Sequence, residues 1–444
     1  MTMTIDSNAP TLQEDAKPTV NQERITNDML ALARIGFNEE DRGVYRPAFS
    51  DADMEARRWL MAAMRTIGVE ARMDGAGNVI GRIGPADQPA VMVGSHTDSQ
   101  LCGGIFDGTL GVIAGLECLR VIREHNIPIA LPIELVSFAD EEGRFGGMFG
   151  SQAMSGQITL DWIENAQDPD GVTLRDAMKG QGLDPADAMS AYREPATLSS
   201  FLELHIEQGP VLEQAGKSIG VVRAITGVFV WVIHLKGKAD HSGTAPMNMR
   251  SDAFMGLADF AHEIPRIIDE EGTEMSRLTV GWADLKPGAP HTVPGEAVFT
   301  LVGRDQTVDA MESLANTCRR VLSAIARRHR LMFEYEEMSW LEPEACHPEI
   351  IGLCKRNAEE LGLEYEEMVS GAGHDVQFMA KITRAGLLFV PSQGGVSHAP
   401  DEWTHWTDVE KGANVLLRTL LHLAGTSSST KANRGKKRAR VRPA

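Results

Sequence analysis

Two short apolar segments with a helical segment between them constrain the fold more than any other feature of this sequence. Residues 90–94 and 133–139 have the composition of buried strands, and residues 111–125 carry apolar side chains at helical spacing. Similar helix and strand patterns alternate from about residue 26 to residue 226. This alternation predicts a domain of the α/β class.

The stretch from about residue 218 to residue 341 follows a different order. Its strand patterns lie at 229–236, 278–284, 297–302 and 331–338, and its helix patterns lie at 251–268 and 308–328. Pro265 is expected to kink the end of the first of these helices. The resulting order, βαββαβ, is the split pattern of ferredoxin-like domains. Because helix–strand alternation returns over 348–423, we predict a larger discontinuous domain, residues 25–217 and 342–424, with residues 218–341 inserted into it.

Composition and charge argue against several classes of protein. The net charge of −19 disfavours a body that binds nucleic acid, and no stretch reaches the ~18 uninterrupted apolar residues of a membrane span. The five cysteines include no CxxC pair, which disfavours a disulfide framework or a structural zinc knuckle. With no secretory signal pattern at the amino terminus, we expect a cytoplasmic protein.

Both ends of the chain are predicted to be tails. Residues 1–24 precede the first helix pattern, and residues 425–444 contain seven basic residues and no acidic one. The second segment lacks apolar periodicity, so we expect it to be disordered and solvated. An alternative is that it tethers the protein to an anionic surface.

Polar side chains follow the first buried strand. His96 and Asp98 come directly after it, and Asp107 lies in a glycine-flanked turn before the predicted helix. In open α/β sheets, sites form at the carboxyl ends of strands, and an imidazole with a carboxylate suits a divalent metal of the zinc type. Asp98 is close enough in sequence to accept the second ring N–H of His96. Asp107 could instead be only the N-cap of the helix.

Three further clusters carry similar chemistry. Glu141 and Glu142 follow the second strand, where one carboxylate could bind a metal and the other could act as general base for the attacking water; a solvated acidic turn is the alternative. His205 and Gln208 belong to a third cluster, and His398 lies in a Ser/Gly loop after an apolar strand. Together these clusters would supply the ligands for two metal ions that share one bridging carboxylate. The ligands would be the carboxylates of Asp107 and Glu142 and the three histidines, and Glu141 would be left as the base.

Seven motifs extend the pattern beyond these clusters: GSHTDSQ, GGIFDG, FADEEGRF, LHIEQGPVLE, DHSGTAPMNMRSDA, GAGHDVQFMA and SHAPDEW. With them, the chain resembles the binuclear-metal amidohydrolases of the M20 peptidase-like superfamily over about residues 25–424. The resemblance is specific to the branch that contains N-carbamoyl-L-amino-acid hydrolase, allantoate amidohydrolase and β-ureidopropionase.

The resemblance implies a role for each site residue. His96 and His205 would bind one metal, Glu142 and His398 the other, and Asp107 would bridge the two. The metals would be two divalent ions per subunit, zinc or else manganese, cobalt or nickel. Glu141 would be the general base, and Asp98 would belong to the catalytic set. His241 would face the substrate carbonyl, often from the partner subunit, while Gln208 and Arg304 would hold the substrate, Arg304 by its carboxylate.

The resemblance also implies a catalytic α/β domain and an inserted ferredoxin-like domain that dimerises and closes as a lid. The expected partners are a small anionic substrate and a second copy of the chain, with no nucleic acid and no membrane. Two departures from the family pattern are expected near the carboxylate pocket. His291 stands where the family has Asn, and Val302-Gly303-Arg304 stands where it has Asp-x-Arg. We therefore count His291 among the substrate-binding residues.

These observations predict a metal-dependent hydrolase of a linear amide or ureido C–N bond in a small carboxylated substrate. The leading substrate is an N-carbamoyl amino acid, which would yield ammonia, carbon dioxide and the amino acid. An allantoate-type amidohydrolase is the alternative, and an aminoacylase or dipeptidase is more distant. A non-catalytic binding protein that keeps the fold is the rival from another class, and metal analysis of the purified chain would separate it from the enzymes.

Overall fold

The computed structural model describes residues 18–425, which form sixteen strands and twelve α-helices. The strands are β1 (Glu70–Met73), β2 (Val79–Ile83), β3 (Ala90–His96), β4 (Ile133–Phe138), β5 (Leu198–Ile206), β6 (Ile219–Ile225), β7 (Gly227–Lys236), β8 (Asp240–His241), β9 (Arg277–Thr279), β10 (Ala283–Lys286), β11 (Thr292–Val293), β12 (Glu296–Asp305), β13 (Met332–Leu341), β14 (Glu344–Ala345), β15 (Tyr365–Ser370) and β16 (Arg384–Val390). The helices are α1 (Gln22–Ala33), α2 (Asp51–Thr66), α3 (Thr109–Glu124), α4 (Phe149–Ser155), α5 (Leu160–Asn165), α6 (Leu174–Gly180), α7 (Val211–Ala215), α8 (Ala253–Glu271), α9 (Val308–His329), α10 (Pro348–Glu360), α11 (Val376–Met379) and α12 (Trp406–Leu423).

The folded part of the chain begins before residue 25, where the sequence placed the start of the larger domain. Helix α1 starts at Gln22, and the side chain of Asn21 caps it by accepting the N–H of Arg24. The guanidinium of Arg24 also pairs with the buried carboxylate of Glu117 at 2.6 Å. This cap and this ion pair anchor the start of the helix. The rest of that predicted tail, residues 1–17, and residues 426–444 of the basic tail lie outside the described residues.

A nine-stranded sheet forms the larger part of the molecule. Its strand order is β1-β2-β4-β3-β5-β16-β6-β14, and β15 also pairs with β6. The central strands β4, β3, β5 and β16 are parallel, and strands buried on both faces read as continuous apolar runs. On β3, Val91 and Val93 pack into the cluster that contains α1, α2, α3, α10 and α12, whereas Ala90 and Met92 pack into the cluster that contains α4 and α11. The predicted α/β class is confirmed.

Parallel pairing in this sheet brings the polar clusters together. The register of β3 with β4 sets His96 opposite Phe138, so both strands end at the same edge. The residues that follow them, 97–98 and 139–142, therefore lie side by side. The predicted strands at 90–94 and 133–139, and the predicted helix at 111–125, correspond to β3, β4 and α3.

A five-stranded antiparallel sheet forms the smaller part, in the order β10-β12-β7-β13 with β9 also paired to β12. Along β7, buried and half-buried residues alternate, because one face packs against α8 and α9. A separate two-stranded sheet, β8 with β11, pairs His241 with Thr292.

Two details of this part differ from the sequence prediction. The single strand expected at 278–284 is divided into β9 and β10, because the N–H of Trp282 bonds to the hydroxyl of Thr300 instead of a backbone carbonyl. The helix that contains Pro265 ends three residues later than the pattern at 251–268 predicted. Helix α8 continues to Glu271, since Phe260 and Ile267 keep its apolar face packed on the sheet on both sides of the proline.

The chain crosses between the two large sheets along one narrow ribbon. Only Thr226 separates β6 in the large sheet from β7 in the small sheet, and the return from β13 to β14 runs directly beside it. Val228 is paired with Leu341 on one side of the crossing, and Ile225 is paired with Glu344 on the other.

Two further features of the described residues concern the length and hydropathy of the helices and the state of the cysteines. No helix within residues 18–425 has both the length and the apolar character needed to cross a membrane. The five cysteines are all free thiols, four of them buried.

Candidate metal centre

The carboxyl ends of four neighbouring strands supply the polar side chains of the candidate centre. His96 is the last residue of β3, and the loop after it leads to Asp107 at the start of α3. Glu141 and Glu142 follow β4, His205 lies near the end of β5, and the loop after β16 carries His398. Parallel strands place all of these groups at one edge of the sheet, as expected for open α/β folds.

The carboxylate of Asp107 lies at the middle of this group. Its Oδ1 is 3.1 Å from Nε2 of His205 and 3.5 Å from Nε2 of His96, and its Oδ2 is 3.0 Å from Nε2 of His398. Glu142 completes the second side, with Oε2 3.4 Å from Nε2 of His398. Asp107 does not serve as a helix cap, because the N-cap of α3 is Gly108 and no side chain caps it.

Two sets of three side chains could each hold a metal ion, and they share one member. The first is His96, Asp107 and His205, and the second is Asp107, Glu142 and His398; the donor atoms of each set lie within 4.8 Å of one another. Imidazole nitrogen and carboxylate oxygen are the donors that zinc and similar divalent ions accept. The shared carboxylate has one oxygen directed at each set. The donor set therefore fits two neighbouring divalent ions.

Backbone carbonyls orient the two buried imidazoles. Nδ1 of His205 lies 2.9 Å from the carbonyl oxygen of Ile206, and Nδ1 of His96 lies 3.1 Å from that of Asp98. Each contact leaves Nε2 facing Asp107, as is usual for imidazoles that bind metals. The predicted contact between His96 and the carboxylate of Asp98 is longer, at 3.7 Å.

The carboxylate of Asp98 instead joins two loops. Its oxygens accept the backbone N–H groups of Glu141 at 3.4 Å and Glu142 at 3.1 Å. Asp98 is only 1% exposed, so these bonds tie the end of β3 to the end of β4 inside the protein. A nearby glycine is needed for steric reasons: a Cβ on Gly108 would come within 2.3 Å of the His96 ring.

Opposite charges in this small volume shift the pKa of each histidine. Burial lowers the pKa of His96, but the carboxylates of Glu141, Asp107 and Asp98 outweigh it and raise the pKa well above the ordinary value. The hydrogen bond to Asp107 raises the pKa of His398 to about 9.

The two adjacent glutamates are shifted in the direction of protonation. Burial, and then the carboxylates of Asp375, Glu142 and Asp107, raise the pKa of Glu141 well above its ordinary value, although His96 opposes the shift. Burial and Asp107 raise the pKa of Glu142 to about 7. Such crowding of carboxylates calls for a cation or a proton between them. Oε2 of Glu141 lies 3.4 Å from Nε2 of His96, and Glu141 belongs to neither of the two three-residue sets.

Gln208 is the predicted substrate-binding residue that lies inside the centre. Its Nε2 donates to Oδ2 of Asp107 at 2.8 Å, and it lies 3.2 Å from Nε2 of His398. The other amide atom, Oε1, is buried and has no hydrogen-bond partner among residues 18–425. A cavity of about 760 Å³ opens beside Gln100 and Glu142 on the neighbouring side of the centre.

Arg304 contacts a loop that leads to the candidate metal centre, although its own strand, β12, belongs to the small sheet. Its Nη1 donates to the carbonyl oxygen of Gly371 at 2.9 Å. Three residues further along that loop, the ring of His374 contacts the ring of His205, with centroids 4.6 Å apart. Burial lowers the pKa of Arg304, and no carboxylate within the described ranges offsets this effect by pairing with its guanidinium.

Within one chain, His241 and His291 lie far from Arg304. For His291 this differs from the prediction, which put it near the same carboxylate pocket as Arg304. Strand β12 runs from Glu296, which pairs with Lys236, to Arg304, which pairs with Val228. The eight residue-to-residue steps from Glu296 to Arg304 span about 27 Å at ~3.4 Å per step. His241 and His291 lie beyond the Glu296 end, where the N–H of Ser242 bonds to the carbonyl of His291. Sequence spacing could not reveal this separation.

Several residues of the site had no role in the sequence analysis. Gln100 donates to the carbonyl of Glu142 at 2.6 Å and to its carboxylate at 3.1 Å. Glu402 accepts the N–H groups of Phe106 and Asp107 at 2.9 and 3.0 Å. Glu203, His205 and His374 form a third buried set with metal-compatible spacing. The signal for His374 and Glu402 was their presence in the GAGHDVQFMA and SHAPDEW motifs.

Comparisons with known proteins agree with the geometry. Residues 92–422 match the family described as peptidase family M20/M25/M40. The chain is 38% identical to N-carbamoyl-L-amino-acid amidohydrolase from Paenarthrobacter aurescens, over 90% of this chain and 97% of that protein. It is 34% identical to allantoate amidohydrolase from Bacillus subtilis, over 90% of this chain and 97% of that protein. A crystal structure of an amidase of the hydantoinase/carbamoylase family from Burkholderia multivorans superposes with a TM-score of 0.83 at 33% identity, covering 91% of this chain and 98% of that one.

Proposed function

Because the chain belongs to peptidase family M20/M25/M40, we propose that it is a metal-dependent hydrolase of N-carbamoyl amino acids. It cleaves the C–N bond of a linear ureido group and releases ammonia, carbon dioxide and the free amino acid. Three relatives named for this activity match about nine tenths of the chain at 34–38% identity.

The observation that carries the proposal is the position of Asp107 between two sets of donors. One carboxylate oxygen faces His96 and His205, and the other faces His398 with Glu142 beside it. These five residues would hold two divalent ions, zinc or else manganese, cobalt or nickel. Two bound ions would supply Lewis acidity, polarising the substrate carbonyl and easing loss of a proton from the attacking water.

Glu141 is the general base in this proposal. It lies at the centre, next to His96 but outside both donor sets, so its carboxylate remains available to accept a proton and return it. Its carboxylate takes a proton from the attacking water and then passes that proton to the departing nitrogen. Asp98 supports this step by holding the backbone N–H groups of Glu141 and Glu142.

Two groups of the same chain are suited to hold the substrate. Oε1 of Gln208 is a buried acceptor without a donor in residues 18–425, and a ureido N–H would satisfy it. The guanidinium of Arg304 has no carboxylate partner there, and the carboxylate of an amino acid would provide one in bidentate geometry. The two groups match the two ends of a small carboxylated ureido compound.

The inserted segment, residues 218–341, would act as a ferredoxin-like lid and dimerisation domain on a catalytic domain formed by residues 25–217 and 342–424. His241 and His291 are too far from Arg304 to reach the same substrate within one chain. A second copy of the chain would present them from its own lid to the centre of its partner. The setting proposed for this homodimer is the cytoplasm.

Allantoate is the second candidate substrate. It is also a ureido carboxylate, and relatives named allantoate amidohydrolase from Bacillus subtilis and Escherichia coli are 34% and 32% identical to this chain. The same base and the same carboxylate clamp would serve it. The distinction depends on the residues that line the substrate site, among which we count His291.

A substrate panel tests the proposal. Protein reconstituted with each divalent ion is assayed for ammonia release from N-carbamoyl amino acids, ureidopropionate and allantoate, and metal content is measured in parallel. We expect about two ions per chain and fastest release from an N-carbamoyl amino acid. Asp107→Asn is the matched control, because it keeps the size of the shared side chain and should lose both ions. Fastest release from allantoate would favour the second candidate, and no release from any compound would contradict the proposal.

A further inference from the structure

A carboxylate without an assigned role joins the loop of His398 to the loop of Asp107. Oε1 of Glu402 accepts the backbone N–H groups of Phe106 and Asp107, at 2.9 and 3.0 Å. Its Oε2 accepts the hydroxyl of Ser397 at 2.9 Å. Glu402 is 2% exposed and lies 296 residues from Phe106 in the sequence. One side chain thus fixes two distant loops to each other.

The surroundings of Glu402 are built closely around its carboxylate. A Cβ on Gly104 would lie only 2.2 Å from Oε1, so this position accepts no side chain. The ring of Phe106 packs edge-on against Trp403 with centroids 5.3 Å apart, and against Trp406 at 5.2 Å. The polar contacts of Glu402 and this aromatic cluster together hold the loop before Asp107 in one position.

The same carboxylate supports the loop on the other side. The hydroxyl of Ser397 lies 2.9 Å from Glu402 and 3.0 Å from Oδ2 of Asp107, so its single proton can reach either carboxylate. His398 has a φ of 54°, a left-handed conformation that residues other than glycine rarely adopt. Such a backbone persists only where its surroundings fix it, and the hydrogen bond from Ser397 to Glu402 spans this position of the loop.

We propose that Glu402 is a positioning residue that sets the spacing between the two metal subsites. The inference rests on the proposed function, and Glu402 acts through Asp107 and His398 without touching an ion itself. Its effect is unequal. His96 and His205 are fixed by strands β3 and β5, whereas His398 lies on a loop. Loss of Glu402 should therefore weaken the subsite of Glu142 and His398 more than the subsite of His96 and His205.

Metal titration of the apoprotein tests this inference without relying on activity. Wild type, Glu402→Ala and Glu402→Gln are titrated with Co²⁺, and both heat and the visible absorption of Co²⁺ are followed. In Glu402→Ala we expect the second ion to bind about 10- to 100-fold more weakly, as for other groups that orient ligands, with a smaller change for the first ion. Glu402→Gln should fall between, because its amide oxygen still accepts the two backbone N–H groups. Asp401→Asn is the control, since Asp401 is the exposed neighbour.

The inference would be overturned if each ion binds Glu402→Ala with the same affinity and the same Co²⁺ spectrum as it binds wild type. If Glu402→Ala does not fold, Ser397→Ala removes one of the three contacts and should weaken the second ion in the same way; a wild-type curve for that variant would also overturn it. Failure of the proposed function gives a different result: the substrate panel would show no ammonia release, while the Co²⁺ titrations of wild type and Glu402→Ala would still differ.

Discussion

A mixture of two inactive variants should recover activity if the lid of one chain serves the centre of its partner. Within one chain, His241 lies beyond the Glu296 end of β12, about 27 Å along the strand from Arg304. Arg304 contacts the loop of Gly371 near its own chain's centre. We therefore expect His241→Ala chains and Glu141→Gln chains to complement each other.

The size of the recovery follows from counting sites. When the two variants exchange at equal concentration, about half of the dimers contain one chain of each kind, by the symmetry of a two-subunit assembly. In each mixed dimer, one centre combines an intact Glu141 with an intact His241, and the other has neither. The mixture should therefore reach about one quarter of the wild-type rate, against almost none for either variant alone.

Ammonia release is measured before and after mixing, and differently tagged chains verify that subunits have exchanged. A mixture of Glu141→Gln with Asp107→Asn is the matched control, because both residues belong to the same centre and no arrangement restores a working site. No recovery by His241→Ala and Glu141→Gln after verified exchange would refute the proposed arrangement. His241 would then act within its own chain or outside the reaction.

Four other expectations concern single changes. Glu141→Gln should keep both metals, as measured by elemental analysis, and its turnover should fall about 10²–10⁴-fold. If this variant loses a metal while Glu142→Gln retains both, Glu141 is the metal ligand and Glu142 is the base. Arg304→Met should raise KM for the carboxylated substrate about 10- to 100-fold, the worth of a hydrogen bond to a charged group, and an unchanged KM would remove Arg304 from the substrate site. Asp53→Ala should lower the free energy of unfolding, measured in urea, by about 3–5 kcal/mol. In the wild type, Asp53 pairs with the buried guanidinium of Arg57 at 2.6 Å, and the variant leaves that charge without its partner. A loss below ~1 kcal/mol would show that the guanidinium finds other acceptors. Chelation of the metals should lower Tm, and returning a divalent ion should restore it, since an ion that binds only the folded state stabilises it; identical melting curves would contradict a metal site in the folded protein.

Local patterns in the sequence were sufficient to predict that the candidate metal residues lie at the ends of strands. His96, Glu142 and His205 follow or end apolar strands, and parallel strands in an α/β sheet bring their carboxyl ends together. The supporting contacts could not be predicted in this way. Glu402 is 296 residues from Phe106, so no spacing rule connects them. Only the three-dimensional path of the chain makes the pair visible.

The limits are similar for the fold. Apolar periodicity predicted β7, α9 and β13 because one face of each is buried in the same core. It did not predict the break between β9 and β10, which depends on a hydrogen bond from the backbone N–H of Trp282 to the hydroxyl oxygen of Thr300. The end of α8 is a second example, because the pattern ended at residue 268, just past Pro265, and the helix continues to Glu271. Proline is unfavourable inside a helix, but packing of the surrounding apolar face outweighs that local preference.

The narrow ribbon between the two sheets also makes the molecule modular. Ile225 and Glu344 are partners in one antiparallel pair, so their Cα atoms are about 5 Å apart. An insertion whose two ends meet at neighbouring positions can be removed or exchanged without altering the register of the strands that receive it. A short turn in place of residues 227–341 would leave every candidate metal residue in the chain. Such a shortened protein could show what the large sheet binds on its own, and the same arrangement would let evolution replace the inserted sheet while the candidate metal residues stay the same.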